Sequence, residues 1–147
     1  MKNFEIPITD LATIKKLLPH REPMIMVDAL LKYTNGEATV GLTILKDNLF
    51  VTKAEFSETG LIEHMAQAAA LYIGFKNHDQ NQAAKEGFIA SIKKLHIQRL
   101  PKVGEVLKTE VTIIHEIMHM STVKLSIFIN DVEIATAEMN TVLKADS

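Results

Sequence analysis

The stretch G-L-I-E-H-M-A-Q-A-A-A-L-Y-I-G-F-K-N, Gly60 to Asn77, limits what this chain can fold into more than any other. Leu61, Ile62, Met65, Ala66, Ala68, Ala69, Ala70, Leu71 and Ile73 place apolar groups nearly all round a helix. A helix of that kind must be buried on most sides. Ser57 or Thr59 can cap its start, and Gly74 or Asn77 lies near its end. Its alanines let a sheet backbone approach closely. One carboxylate, Glu63, interrupts the apolar surface. Burying an unpaired charge is expensive, so Glu63 either serves a site or is satisfied by Gln67 one turn later.

What surrounds this helix reads mainly as strand. Before it, T-D-L-A-T-I-K-K-L-L-P-H-R opens a short helix capped by Thr9 or Asp10. Leu11, Ile14, Leu17 and Leu18 form its apolar stripe, and Pro19 stops it. Met24 to Tyr33 is strand-like, T-N-G-E is a turn, and Glu37 to Ile44 is a second strand. Leu45 to Gly60 has no clear period and reads as a loop with at most a short turn of helix. After a polar linker from Asn77 to Glu86, strands are expected over Gly87 to Arg99, Val106 to Asn130 and Val132 to Ala145. L-P-K-V-G-E and N-D supply the turns. The expectation is one α+β domain over residues 1–147, an antiparallel meander around a long central helix.

The loudest chemical pattern is H-E-I-M-H, from His115 to His119. On a helix, H-E-x-x-H holds zinc, with the glutamate activating water. Here Thr109, Val111 and Ile113 alternate with Glu110, Thr112 and Ile114 before it, and Val123, Leu125, Ile127 and Ile129 alternate with Lys124, Ser126, Phe128 and Asn130 after it. On a strand, positions i and i+4 lie about 13 Å apart. That is too far for one zinc ion, so the pattern reads as a strand end and turn with two surface histidines.

Composition removes other classes. The chain has 147 residues, is 47% hydrophobic and carries a net charge of -2, so no broad basic surface calls for nucleic acid. It has no cysteine, which excludes disulfides and thiol nucleophiles and suits a reducing cytoplasm. Met1 to Asp10 contains no apolar signal-type run, and no stretch approaches the roughly 18–20 apolar residues of a membrane span.

Three segments in order carry a resemblance. Leu18, Pro19, His20, Arg21, Pro23 and Asp28 fit L-P-H-R-x-P followed by two hydrophobic residues and V-D. Glu63, Met65, Ala66 and Gln67 fit a helical E-A-x-A-Q, with His64 replacing its first alanine. Gly104, Glu105 and Leu107 take the turn of G-I-x-x-x-x-F-x-x-P-V-x-P-G-D-x-L. In these the chain resembles the 3-hydroxyacyl-acyl-carrier-protein dehydratases of fatty acid synthesis, which have the hotdog fold, a sheet wrapped around one helix.

The resemblance implies a dimer whose sites draw side chains from both subunits. In the family, a histidine removes the proton α to a thioester carbonyl. An acid on the central helix helps expel the β-hydroxyl as water, and backbone N–H groups at the helix start polarise the carbonyl. The acyl group travels on the phosphopantetheine of an acyl carrier protein, so no metal or cofactor of the chain's own is expected. Glu63 takes the acid position. Gly60, His64 and Gln67 are the candidates for contact with the substrate. The family's base sits in an H-F-P-x-x-P loop, but Asp47 to Thr59 holds neither histidine nor proline. That departure is similar to the branch encoded with aryl polyene and related pigment pathways. His20 is then the candidate replacement base.

Three readings follow. The chain is a dehydratase using Glu63 and His20. Or it is a non-catalytic partner, binding carrier protein or joining a second hotdog subunit that supplies the histidine. Less favoured is an acyl thioesterase on the same fold.

Overall fold

The computed structural model describes residues 4–79 and 87–143. Helix α1, Leu11–Leu17, is capped by Asp10, whose carboxylate accepts the Thr13 N–H, and Ile14 and Leu17 are its buried face. Strands β1, Ala29–Thr34, and β2, Glu37–Thr43, pair across a turn at Gly36. Gly36 takes φ +104°, a conformation open to glycine, and its N–H donates to the Tyr72 hydroxyl at 2.8 Å.

The stretch from Leu45 to Gly60, read as a loop, contains a small hairpin instead. Strands β3, Val51–Thr52, and β4, Glu55–Phe56, pair with each other across Lys53 and Ala54, both at positive φ. The hairpin is held against the turn at Leu100 to Glu105, where Phe56 N–H donates to Pro101 O at 2.8 Å and Val103 N–H to Ala54 O at 3.0 Å. Arg99 closes that turn with two bonds to Glu105, at 2.8 and 2.9 Å.

The long helix α2, Glu58–Asp79, is followed by β5, Gly87–Ile97; β6, Val106–Ile117; β7, Met120–Ile129; and β8, Val132–Leu143. The linker expected from Asn77 to Glu86 is helical as far as Asp79, and the remainder lies outside the described residues. The main sheet has the order β1-β2-β6-β7-β8-β5, and every neighbouring pair is antiparallel. Leu107, Thr109 and Val111 on β6, with Val123, Leu125, Ile127 and Ile129 on β7, face inward as their alternation requires. Helix α2 packs on that face against β2 and β6.

Helix α1 crosses α2 where a side chain would not fit. A Cβ on Gly74 would stand 1.9 Å from the Leu17 carbonyl oxygen. Gly74 therefore marks a contact within α2 rather than its end. At the far side of the sheet, β5 is an edge strand that α2 scarcely covers. Its Ile89, Ile92 and Leu95 stay 36–38% exposed.

The H-E-I-M-H pattern lies where alternation placed it. His115 to Ile117 end β6, Met118 and His119 form the turn, and both histidines are exposed. Glu116 forms an ion pair with Lys76 at 2.9 Å. Among the described residues, no group of three or more histidine, aspartate or glutamate side chains could hold a metal ion.

Candidate active site

Three polar side chains leave α2 within five residues, Glu63 and Gln67 from one face and His64 from another. Glu63 is half-buried. Gln67, one turn later and fully buried, donates from Nε2 to Glu63 Oε2 at 2.8 Å. The same Nε2 donates to Met24 O at 2.7 Å, and Gln67 Oε1 accepts the Met26 N–H at 2.6 Å. Gln67 thus clamps the backbone of Met24 to Met26 onto the helix. That contact explains why Met24 to Asp28, expected as strand, is irregular. Met24 O, the Met26 N–H and Met26 O are satisfied by helix side chains rather than by a strand ladder.

His64 lies about 100° round the helix from Glu63 and is fully buried. Its Nδ1 stands 2.7 Å from Met26 O, and its Nε2 stands 2.7 Å from Thr109 Oγ1. A carbonyl can only accept, so Nδ1 carries the proton and Nε2 accepts from the threonine hydroxyl. Burial pushes the ring pKa down to about 4, against a smaller upward pull from the Met26 carbonyl. The ring is therefore neutral at pH 7. Expected to contact substrate, His64 instead is an internal tether, since both nitrogens are spent and no edge reaches solvent.

The N–H of Gly60, a candidate for contact with the substrate, donates to Ser57 Oγ at 3.1 Å, the cap of α2. What makes glycine necessary is space. An added Cβ would lie 2.7 Å from Phe50 and from the Phe56 ring. Gln67, also expected near the substrate, is buried and touches the acid instead.

His20 is half-buried in the turn between α1 and the Met24–Met26 segment that Gln67 and His64 hold. Its neighbour Arg21 donates to the carbonyls of Leu18 and His20, at 2.8 and 2.6 Å, and so stiffens the turn after α1. Asp28, matched by motif, accepts the Thr43 N–H at 2.8 Å and fixes the start of β1 to β2. Within Asp47 to Thr59, Asn48 donates from Nδ2 to Met26 Sδ at 3.4 Å, and Leu49 is 53% exposed. Sequence reasoning missed Thr109 and Asn48. Thr109 carried a signal: it is a polar residue at an inward position of an alternating strand. Asn48 carried none.

The arrangement can do part of an elimination. It presents one carboxyl group, oriented by an amide, on a helix whose neighbouring His64 is withdrawn. The loop ahead of that helix offers no imidazole.

The family model for ApeP-like proteins, described as ApeP dehydratase, matches residues 12–147. The chain belongs to this family. The ApeP-like chain is 29% identical over 111 residues to the 3-hydroxyacyl-[acyl-carrier-protein] dehydratase FabZ of Oceanobacillus iheyensis, a match covering 71% of this chain and 77% of that one. It is 30% identical over 112 residues to FabZ of Staphylococcus saprophyticus, covering 72% and 75%. Among solved structures it superposes on a chain of the dehydratase heterocomplex ApeI:P from Xenorhabdus doucetiae with TM-score 0.86 at 17% identity, over 97% of this chain and 94% of that one. A Streptococcus mutans protein, smu.793, bound to acetyl CoA, gives TM-score 0.67 at 12% identity, over 88% and 97%. The α+β architecture is thus that of the hotdog fold. Among the described residues, no helix is long and apolar enough to cross a membrane.

Proposed function

We propose that this ApeP-like chain is the acid-bearing subunit of a 3-hydroxyacyl-acyl-carrier-protein dehydratase, working beside a second hotdog subunit that supplies the base. The observation that carries the proposal is the pairing of a half-buried, amide-held Glu63 with the lack of an imidazole in its own loop. His64 cannot fill that gap, because both its nitrogens are bonded inside the fold. The uncovered edge strand β5, with Ile89, Ile92 and Leu95 bare on it, supports pairing with a second subunit.

In the reaction, the partner's base takes the proton α to the thioester carbonyl. Electrons from that C–H bond form the double bond, and the β-carbon–oxygen bond breaks. Glu63 gives its proton to the departing hydroxyl, which leaves as water. Solvent then returns a proton from the base to Glu63. The substrate rides on the phosphopantetheine of an acyl carrier protein, and the basic side chains of Lys93 and Lys94 beside His96 suit an acidic carrier. No cofactor of the chain's own takes part, and the cytoplasm is the compartment where such a carrier would meet it.

The test is dehydration of a 3-hydroxyacyl thioester by the chain alone and by the chain co-expressed with a base-bearing hotdog subunit. The expected result is turnover only with the partner, lowered about 10²- to 10⁴-fold by Glu63→Gln. Full turnover by the chain alone, lost with His20→Ala, would sink the two-subunit proposal. Release of free thiol without loss of water would replace it with a thioesterase.

A further inference from the structure

We infer that the edge strand β5 selects for a different subunit, one with carboxylates on its own edge strand, and against a second copy of this chain. The selection rests on the two-subunit reading above, but it is measured by association rather than turnover, so each can fail without the other.

The edge is positive out of keeping with the molecule. The chain carries a net charge of -2, yet β5, Gly87–Ile97, holds Lys93 and Lys94 and no carboxylate. Behind it, Glu138 on β8 is shared by three lysines. It stands opposite Lys93 on one side and Lys124 on the other, and its Oε1 is also 3.4 Å from Lys94 Nζ. The Lys94 side chain stays 72% exposed with that contact made, so its charge meets whatever approaches the edge.

A second copy cannot neutralise this charge. Two copies joined by a two-fold axis run their β5 strands antiparallel, and each strand meets only its own sequence. Pairing within β5 therefore sets no carboxylate opposite a lysine in any register. The register that overlaps the whole strand puts Ile92 on the axis and Lys93 across from Ser91. The two Lys93 residues are then about 7 Å apart along the strands and about 5 Å apart across them, about 8 Å in all. That is inside the screening length at low salt, and like charges this near oppose pairing.

The backbone blunts the same edge. The β5–β8 register shifts between Ile89 and Ser91 and again between Lys93 and His96, where Lys94 takes φ 53°. Bulges and lysines on an edge both discourage indiscriminate pairing. The bulges do so for any strand, whereas the lysines discriminate by charge. A strand bearing aspartate or glutamate is drawn to the edge that a copy of this chain is repelled from.

A charge-reversed form, Lys93→Glu with Lys94→Glu, serves as the acidic partner. It is isotope-labelled and left to exchange with the unmodified chain at about 0.05 M salt, where screening is weak, and the pairs are counted by native mass spectrometry. Mixed pairs are expected to exceed the statistical proportion about tenfold, and to fall back toward it at about 0.5 M salt. Mixed pairs in the statistical proportion at low salt would overturn the selection.

Should the reversed form not fold, the unmodified chain is compared with Lys93→Gln/Lys94→Gln by sedimentation. At low salt the Gln form is expected to self-associate about tenfold more tightly, with the gap closing as salt rises. Equal self-association of the two forms would overturn the selection, and loss of carrier-protein binding in the Gln form would then assign the lysines to the carrier. If association behaves as expected while Glu63→Gln leaves turnover of the complex intact, the selection stands and the acid role alone falls.

Discussion

Lowering the pH from 7 to 4 should destabilise this chain through one residue in particular, His64. Its folded pKa lies near 4 and its ordinary value is 6.5. Between those values the unfolded chain binds a proton that the folded chain refuses. Stability therefore rises with pH across this window and is lost as pH falls from about 6.5 toward 4. The gap from 6.5 down to about 4, at 1.36 kcal/mol for each tenfold change in proton affinity, gives about 3 kcal/mol at full effect. The ring is fully buried, so water does not screen this. The Thr109 hydroxyl can rotate to accept a proton from Nε2, so burial of charge, not a lost hydrogen bond, is the main cost. For a chain of this size, about 3 kcal/mol corresponds to roughly 6–12 °C in melting temperature. Urea unfolding at pH 7, 6, 5 and 4 measures it, with His64→Gln as the non-titrating comparison. The difference in slope between the two proteins isolates His64 from every other titrating group. Parallel slopes would refute the tether, and would reopen a solvent-facing role for this histidine.

Gly74→Ala pits two effects against each other. Helix propensity favours alanine by about 1 kcal/mol, but the new Cβ would lie 1.9 Å from the Leu17 carbonyl. Backbone cannot yield there as a side chain would, so overpacking of about 1–3 kcal/mol or more should win and chemical denaturation should show net loss. Thr109→Val keeps the volume but leaves His64 Nε2 without its donor, and should cost about 1–3 kcal/mol by the same measurement. Arg99 holds the Glu105 carboxyl down to about 2, helped by the Lys102 N–H. That stabilisation is present above about pH 4.5 and lost as pH falls toward 2. Because the pair is solvent-exposed, Arg99→Ala should cost no more than about 1 kcal/mol at pH 7.

How much of this could be read in advance depended on how far apart the interacting residues lie. The central helix, the inward alternation of β6 and β7, and the turn at Asn130 and Asp131 follow from local pattern, and the structure has them. The pairing of Glu63 with Gln67 was also legible, because i and i+4 share a helix face whatever the fold. Met24 to Asp28 looked like strand by composition, yet its partners sit 41 and 38 residues away on α2. Strands β3 and β4 have two residues each, too few for alternation to register. Lys53 and Ala54 also turn the chain at positive φ without the glycine or asparagine that usually signals it. Gly74 stood near the expected helix end, and only the position of Leu17 reveals why it is glycine.

The site then follows from how one helix divides three polar residues. Glu63 and Gln67 share a face, and His64 leaves about 100° away. Because Gln67 takes Met24 O and the Met26 N–H while His64 takes Met26 O, one strap is gripped from two directions. Neither grip leaves a basic group free, since the amide has no titrating nitrogen and the imidazole has both of its nitrogens engaged. A carboxyl group fixed this well can serve as a proton donor, but no neighbour on its own helix can take the α proton. Two histidines at the β6–β7 turn, His115 and His119, are exposed, and their strand-and-turn placement offers no shared metal. The missing imidazole between Asp47 and Thr59 is therefore the feature on which the proposed second subunit rests, and β5 is an edge of the sheet that no strand among the described residues covers.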